Sequence, residues 1–265
     1  MSLKTILFTN ARDEDNIIEW IAHHLIIGFD IIYIFDHKSI IPIKELTKIF
    51  KKGVIVERYN IDGPIKLQLM VKAAKIAQSA GADWMLYLDA DEYLVLNKFS
   101  NVKQLLYQFH QADSIAINWL MFGTNHHKYI PKKGLLIENY TSSDLKLDKH
   151  VKSFVRPSQV IKAITPHYFV IKQPNKMTSL NGKQCTSFNE WNISFELSPA
   201  FIAHYVYQSE EMYMKRKILL PRDDNSQFRH IEHDIHQKHN ECNNTLVKDK
   251  YAKYIQQLLD KLQKI

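Results

Sequence analysis

Four short apolar runs in the first 90 residues, each parted from the next by a stretch of helical spacing, restrict this chain more than any other feature. Residues 4–9, 31–35, 54–58 and 84–88 are strand-like: brief, apolar and rich in Ile, Val, Phe, Tyr and Trp. Between the first two, residues 15–25 place Ile17, Ile18, Ile21 and Leu25 at helical intervals. Residues 43–51 and 68–80 repeat the pattern. Asp13 or Asp15 is placed to cap the first helix, and Gly28 and Gly81 to close the first and third. Strands alternating with helices pair in parallel through right-handed crossovers, so the expected fold class is α/β, a mostly parallel sheet flanked by helices.

In such a sheet the residues after each strand gather along the carboxyl edge, where ligands bind. Here that edge collects Asn10, Arg12, Asp13, Glu14, Asp36, Ser39, Asp89 and Asp91. Each alone reads as a cap or turn residue. The stretch WMLYLDADEYLVL is the sharpest of them: an apolar run ends abruptly in Asp89, Asp91 and Glu92. Carboxylates crowded at a strand end repel one another, and their desolvation is unfavourable unless a cation lies between them. Mg²⁺ or Mn²⁺ bridging to a diphosphate meets that need, since these ions take oxygen ligands. The plainer reading is a solvated acidic turn.

With 265 residues, 45% of them hydrophobic, the chain suits one large domain, or one domain with a subdomain. Its net charge of +7 suits phosphate-bearing ligands or an anionic membrane surface. The basic residues are scattered and form no nucleic-acid motif, so no nucleic-acid partner is expected. Cys185 and Cys242 are too few for a disulfide framework. The first apolar run is too short for a signal peptide, and no stretch is long enough for a membrane span. The expected location is cytoplasmic, with a peripheral place on the inner face of a membrane as a further option.

Four blocks occur in a telling order. NARDEDNIIEWIAHHLIIGFDIIYIFDHKS contains Glu19, Trp20, His23, His24, Gly28, Phe29, Asp30, Asp36 and Ser39. ADWMLYLDADEY follows, with Ala82, Asp83, Trp84, Asp89, Asp91 and Glu92, and Tyr93 where Phe is usual. Then come His150, Lys152, Ser153, Arg156 and Pro157, and last His204, Tyr205, Ser209, Glu210 and Glu211. Over residues 5 to about 217 the chain resembles GT-A glycosyltransferases, in the family-2-like group related to glycosyltransferase family 92. The resemblance implies a GT-A domain over 1–220, with a nucleotide-sugar half (1–117), an acceptor half (118–220) and a helical C-terminal extension (221–265). It implies a nucleotide-diphospho-sugar donor, a UDP-hexose with galactose favoured, and a glycan acceptor such as a cell-surface polysaccharide or lipid-linked saccharide. Asn10, Arg12 and Glu14, with the loop of Asp36 and Ser39, would hold base and ribose. Gln68 would lie near the nucleotide. Asp89 and Asp91, flanking Ala90, would hold Mn²⁺ or Mg²⁺ on the diphosphate, with His204 completing the metal site and the anomeric carbon inverted.

The residues themselves add to this. Lys152 and Arg156 are natural diphosphate or acceptor contacts, with a surface ion pair as the alternative. Asn118 and Trp119, on an expected strand at 114–121, suit an acceptor sugar or the core. His23 and His24 sit in an apolar helix, where at least one reads as a packed core histidine. Inversion needs a general base; the candidates are Asp148, Glu190, Glu210 and Glu211. Glu211 is favoured, with Asp148 beside it, because it follows the expected strand at 201–207 that carries His204. Its other reading is stabilisation of a helix start. His230, His233, His236 and His239, near Cys242, read as a zinc site or as a solvated, partly charged helix. Residues 247–265 form an amphipathic, lysine-rich helix with Tyr251, Tyr254, Ile255, Leu258, Leu259 and Leu262 on its apolar side; it packs on the domain or rests on anionic lipid. The rival functions are a nucleotidyltransferase-like phosphoryl enzyme, for which no Gly-rich phosphate loop is present, and a non-catalytic nucleotide- or glycan-binding module.

Overall fold

The structure, a computed structural model, describes residues 3–264. The expected ranges that start at residue 1 or end at residue 265 run onto Met1, Ser2 and Ile265, which lie outside the described residues. Strands β1 (Thr5–Ala11), β2 (Ile31–His37), β3 (Val54–Tyr59), β4 (Trp84–Tyr87), β5 (Glu92–Leu96), β6 (Ser114–Met121), β7 (Ser142–Ser143), β8 (Val151–Val155), β9 (Val160–Ala163), β10 (Phe169–Ile171), β11 (Met177–Ser179), β12 (Ala200–His204) and β13 (Cys242–Asn243) alternate with helices α1 (Ile17–Ile26), α2 (Ile43–Leu46), α3 (Lys66–Ser79), α4 (Val102–Gln108), α5 (Leu136–Asn139), α6 (Glu210–Tyr213) and α7 (Leu246–Gln263).

The main sheet runs β3-β2-β1-β4-β8-β6-β12-β5, with β11 beside β6. β3, β2, β1 and β4 are parallel, as the alternating pattern requires. β8 enters antiparallel between β4 and β6, and β5 closes the far edge antiparallel to β12. The result is an α/β protein with a mostly parallel sheet, helices on its faces and a helix at its C-terminal end, as expected. The expected division between residues 117 and 118 falls inside β6.

Every residue of β1 is buried because helices cover both sheet faces. Successive side chains alternate: Leu7 packs with Trp20, Ile21 and Ile34 on the α1 side, while Ile6 and Phe8 meet Leu69, Met70 and Ala73 of α3 on the other. Each such aliphatic side chain contributes about 1.5–3 kcal/mol when fully buried. The α1 histidines belong to this core. His23 Nε2–H donates to Leu94 O at 2.9 Å, and His24 Nδ1–H to Trp20 O at 2.8 Å. Burial pulls the His23 imidazole down to about 4, so it is neutral at physiological pH.

Local expectations change in three places, and in a fourth the structure decides between two readings. Neither Asp13 nor Asp15 caps α1: Asp13 Oδ1 accepts from Ile40 N at 2.7 Å, and Asp15 pairs with Lys215. β12 stops at His204 rather than continuing to residue 207. Residues 230–239 form no helix, with turns over 233–239, so the histidines do not share a helix; His239 Nδ1–H donates to Asp144 Oδ2 at 2.8 Å, and His233 is exposed. α7 turns its apolar side onto the domain, burying Val247, Tyr251 and Ile255 against the core cluster that includes Trp20 of α1, with Leu258, Leu259 and Leu262 packed alongside. Among the described residues no helix is long and apolar enough to cross a membrane.

Candidate active site

At the carboxyl edge of β1, β2, β3 and β4 a cleft of about 480 Å³ opens under the segment that follows α6. Asn10, Arg12, Glu14, Asp89, Ala90, Asp91, Lys152 and His204, all singled out from sequence, line it together. Asp89 and Asp91 stand not on a strand but in the tight turn between β4 and β5, closed by Glu92 N–H donating to Asp89 O at 3.0 Å. His204, at the end of β12, lies opposite Glu92 in register, which brings its Nε2 to 3.8 Å from Asp91 Oδ1.

Cations of the chain surround both carboxylates. Lys66 Nζ is 2.6 Å from Asp89 Oδ1, and Lys152 Nζ is 3.4 Å from Asp89 Oδ2 and 3.3 Å from Glu92 Oε2. Lys217 Nζ is 2.7 Å and Arg216 Nη2 3.4 Å from Asp91 Oδ2, while the same Nη2 reaches Glu14 Oε1 at 2.6 Å. Burial opposes the charge on Asp89 and Asp91, but Lys152 and Lys66 on the first, and Lys217 and Arg216 on the second, hold both well below the usual carboxylate range. Glu92 goes the other way: burial, only partly offset by Lys152, pushes it up to about 8. Burial also drives His204 down to about 3 against the pull of Asp91, leaving a neutral imidazole.

A divalent ion is what the resemblance assigns to Asp89, Asp91 and His204. The neutral imidazole and charged Asp91 have the right chemistry, but both oxygens of Asp89 and Oδ2 of Asp91 face lysine and arginine instead, which leaves Asp91 Oδ1, on the His204 side, as the one oxygen of the pair not against a cation. No cluster of three or more His, Cys, Asp or Glu side chains among the described residues is spaced to hold a metal. The donor set as arranged does not fit the ion.

The cleft's other wall is aromatic. Trp119, from β6, stacks on His150 at 5.2 Å between ring centroids and touches His167 and His204 at 5.1 and 4.4 Å. Asp148 stands outside the cleft lining, yet its Oδ1 accepts from His150 Nδ1–H at 2.6 Å and from His150 N–H at 2.8 Å, fixing the imidazole that does line it.

The remaining expected residues lie elsewhere, for identifiable reasons. Asp36 is spent on its own turn, accepting from Ser39 N, Ile43 N and Arg58 at 3.1, 3.0 and 3.1 Å. Ser39 Oγ accepts from Asp13 N at 3.1 Å. Gln68 is exposed; Lys66, two positions earlier and so about 200° round the helix, is the α3 residue that enters the cleft. Arg156 is at the wrong end of β8. That strand runs antiparallel to β4, so Lys152 reaches the carboxyl edge while Arg156, about 13 Å further along, lies over Trp84 and donates to His110 O and Ala112 O. Glu211 lies outside the cleft, where its Oε2 accepts from Ile130 N at 2.9 Å.

Sequence reading missed Lys66, Arg216, Lys217 and Asp223. The last accepts from Asn10 Nδ2 at 2.5 Å and lies 3.6 Å from Lys66 Nζ, drawing the segment after α6 across the cleft. The run MKRKILLPRDD carried the only signal, and a charge run by itself reads as a solvated face.

The fold and this cleft define an α/β protein with a charged cleft at the carboxyl edge of its sheet. The sequence model of Glycosyltransferase family 92 matches residues 1–246, and the chain belongs to that family. No curated protein sequence matches the chain. Among solved structures it is similar to S. aureus TarS 1-349, with a TM-score of 0.42 and 15% identity over 80% of this chain and 62% of that one. A TarS 1-349 structure in complex with UDP gives 0.38 and 14% over 59% and 48%. HddC from Yersinia pseudotuberculosis gives 0.42 and 10% over 80% and 97%. The chain thus spans less than two thirds of the TarS structures it matches.

Proposed function

We propose that the protein transfers a hexose, galactose first among the choices, from a UDP-sugar to a hydroxyl of a glycan, with inversion. The observation that carries this reading is the convergence of Asp89, Asp91, Lys66, Lys152 and His204 in one cleft at the carboxyl edge of the sheet, in a chain of a glycosyltransferase family.

In this reading Asn10, Arg12 and Glu14 face the nucleoside, and the diphosphate lies toward Lys66 and Lys152. The flat face of Trp119 receives the apolar face of a hexose. The acceptor oxygen attacks the anomeric carbon from the side of Trp119 and His150. Its proton passes to His150 Nε2, whose other ring nitrogen Asp148 holds, a histidine–carboxylate pairing suited to general-base work. The bond from the anomeric carbon to the diphosphate breaks, and its electron pair leaves with the nucleoside diphosphate. Charge developing there meets fixed cations in a partly dry site, where such interactions are strong. Every carboxylate lining the cleft has a cationic or amide partner, which favours His150 over a carboxylate as the base.

The test is a thermal-shift panel of UDP-, GDP- and CDP-hexoses, followed by release of nucleoside diphosphate in the presence of glycan acceptors. One base should raise the melting temperature with ligand concentration, and Asp91→Ala should abolish transfer. Wild-type turnover by Asp91→Ala would overturn the site assignment.

A further inference from the structure

The positions that a divalent ion would take against the acidic pair are held by side chains of the chain itself, and the arrangement is built rather than incidental. The four cations come from three separate elements: Lys66 from the first turn of α3, Lys152 from β8, and Arg216 and Lys217 from the π-helical turn Met214–Ile218. None is a loose surface group. The side chains of Lys152, Lys66, Arg216 and Lys217 are 1%, 8%, 9% and 16% exposed. An ion bound to Asp91 would have to expel Lys217 and Arg216 or sit against them, and either leaves a buried charge without its partner, which is strongly unfavourable. The cleft lining carries eight Lys and Arg side chains against six Asp and Glu, so it is already cationic before any ligand enters.

We propose that Lys66, Lys152, Arg216 and Lys217 take the place of the divalent ion, so that this cleft binds a nucleoside diphosphate, and stabilises it as a leaving group, without a metal. The inference rests on the glycosyltransferase reading. The ligand chemistry is a pyrophosphate bearing a nucleoside. Its oxygens accept from the two buried ammonium groups on one side and from the Arg216–Lys217 pair on the other. The covering segment supplies part of the phosphate site, so binding the donor also fixes residues 214–224 in place.

The experiment is titration calorimetry of the full chain with UDP, GDP and CDP, in EDTA and again in Mn²⁺. The nucleotide that binds is expected to do so in EDTA within about threefold of its Kd in Mn²⁺, a difference under 1 kcal/mol. Lys217→Met is expected to weaken binding in EDTA about tenfold or more, the loss of one charge-assisted contact, and Lys217→Arg to restore most of it. Lys152→Met tests the buried side of the site. Should that variant fail to fold, the Lys217→Met comparison still decides the matter. Nucleotide binding only when Mn²⁺ is present would overturn this inference and leave the glycosyltransferase reading intact. Lys217→Met binding as tightly as wild type in EDTA would overturn it as well. Absence of binding by every nucleotide in both conditions would sink both.

Discussion

Lys66 shows how much a single side chain can hold. Its ammonium joins Asp89 of the β4–β5 turn to Asp223 of the covering segment, and its backbone N–H donates to Asp223 O at 3.1 Å. Burial works against the charge, but Asp223 and Asp89 outweigh it and keep the ammonium well above its ordinary range. Removing one partner from a buried ion pair strands the other, so Lys66→Met is expected to lower stability by about 3–5 kcal/mol in urea unfolding. Gln68→Ala, on the exposed side of the same helix, should stay within about 0.5 kcal/mol of wild type. A Lys66→Met protein as stable as the Gln68 variant would refute this account. The contrast also marks what was legible. Asp89 and Asp91 stand out because an apolar run ends on them. Lys66 has no such flag: it is one lysine among many, and its importance comes from an aspartate 157 positions away, a separation no local pattern encodes.

At the scale of elements, the parallel half of the sheet was readable because each of its strands announces itself with an apolar run and a helix between. The antiparallel half was not. β5 and β8 pair with partners far along the chain, and only pairing fixes their direction. That direction separates Lys152, in the cleft, from Arg156, at the opposite edge, although the sequence offers both alike as diphosphate or acceptor contacts. α7 was visible as an amphipathic helix but not the surface it meets. Its Tyr251 hydroxyl accepts from the buried Leu96 N–H at 2.9 Å, tying the helix to β5, and its ring meets His23 at 4.6 Å between centroids. Tyr251→Phe keeps the ring and leaves that N–H without a partner. The expected loss is about 1–3 kcal/mol, with faster amide exchange at Leu96. Unchanged exchange there would show that α7 is not anchored through this bond.

For the whole molecule, the same burial that builds the core and the cleft sets how stability responds to pH, through two groups of side chains with opposite signs. His23 and His167 are held down to about 4 and His204 to about 3, burial being the leading cause in each, and burial with the neighbouring His23 holds His24 well below its ordinary value. The unfolded chain binds protons at these four near 6.5, before the folded chain does, so their contribution is complete above that pH and is lost as pH falls toward 4. Glu19 and Glu92 are raised by burial to about 7 and about 8 from an ordinary 4.5. Here the folded chain holds protons that the unfolded chain has released, so their contribution is full below 4.5 and is lost as pH rises through 7 and 8. Burial raises Glu14 as well, Arg216 offsetting it only in part, but between 4.5 and 6.5 the four histidines outweigh these glutamates and stability climbs. Above 6.5 only the glutamates still titrate, and it declines until about pH 8. Urea unfolding across this range should therefore give a maximum near pH 6.5. Glu92→Gln removes the carboxyl that titrates near 8, so it should flatten the decline between 7 and 8 and steepen the climb between 4.5 and 6.5, where that carboxyl had opposed the histidines. A wild-type maximum at pH 8 or above, or the same slopes in Glu92→Gln as in wild type, would mean that these groups are not buried as the fold places them.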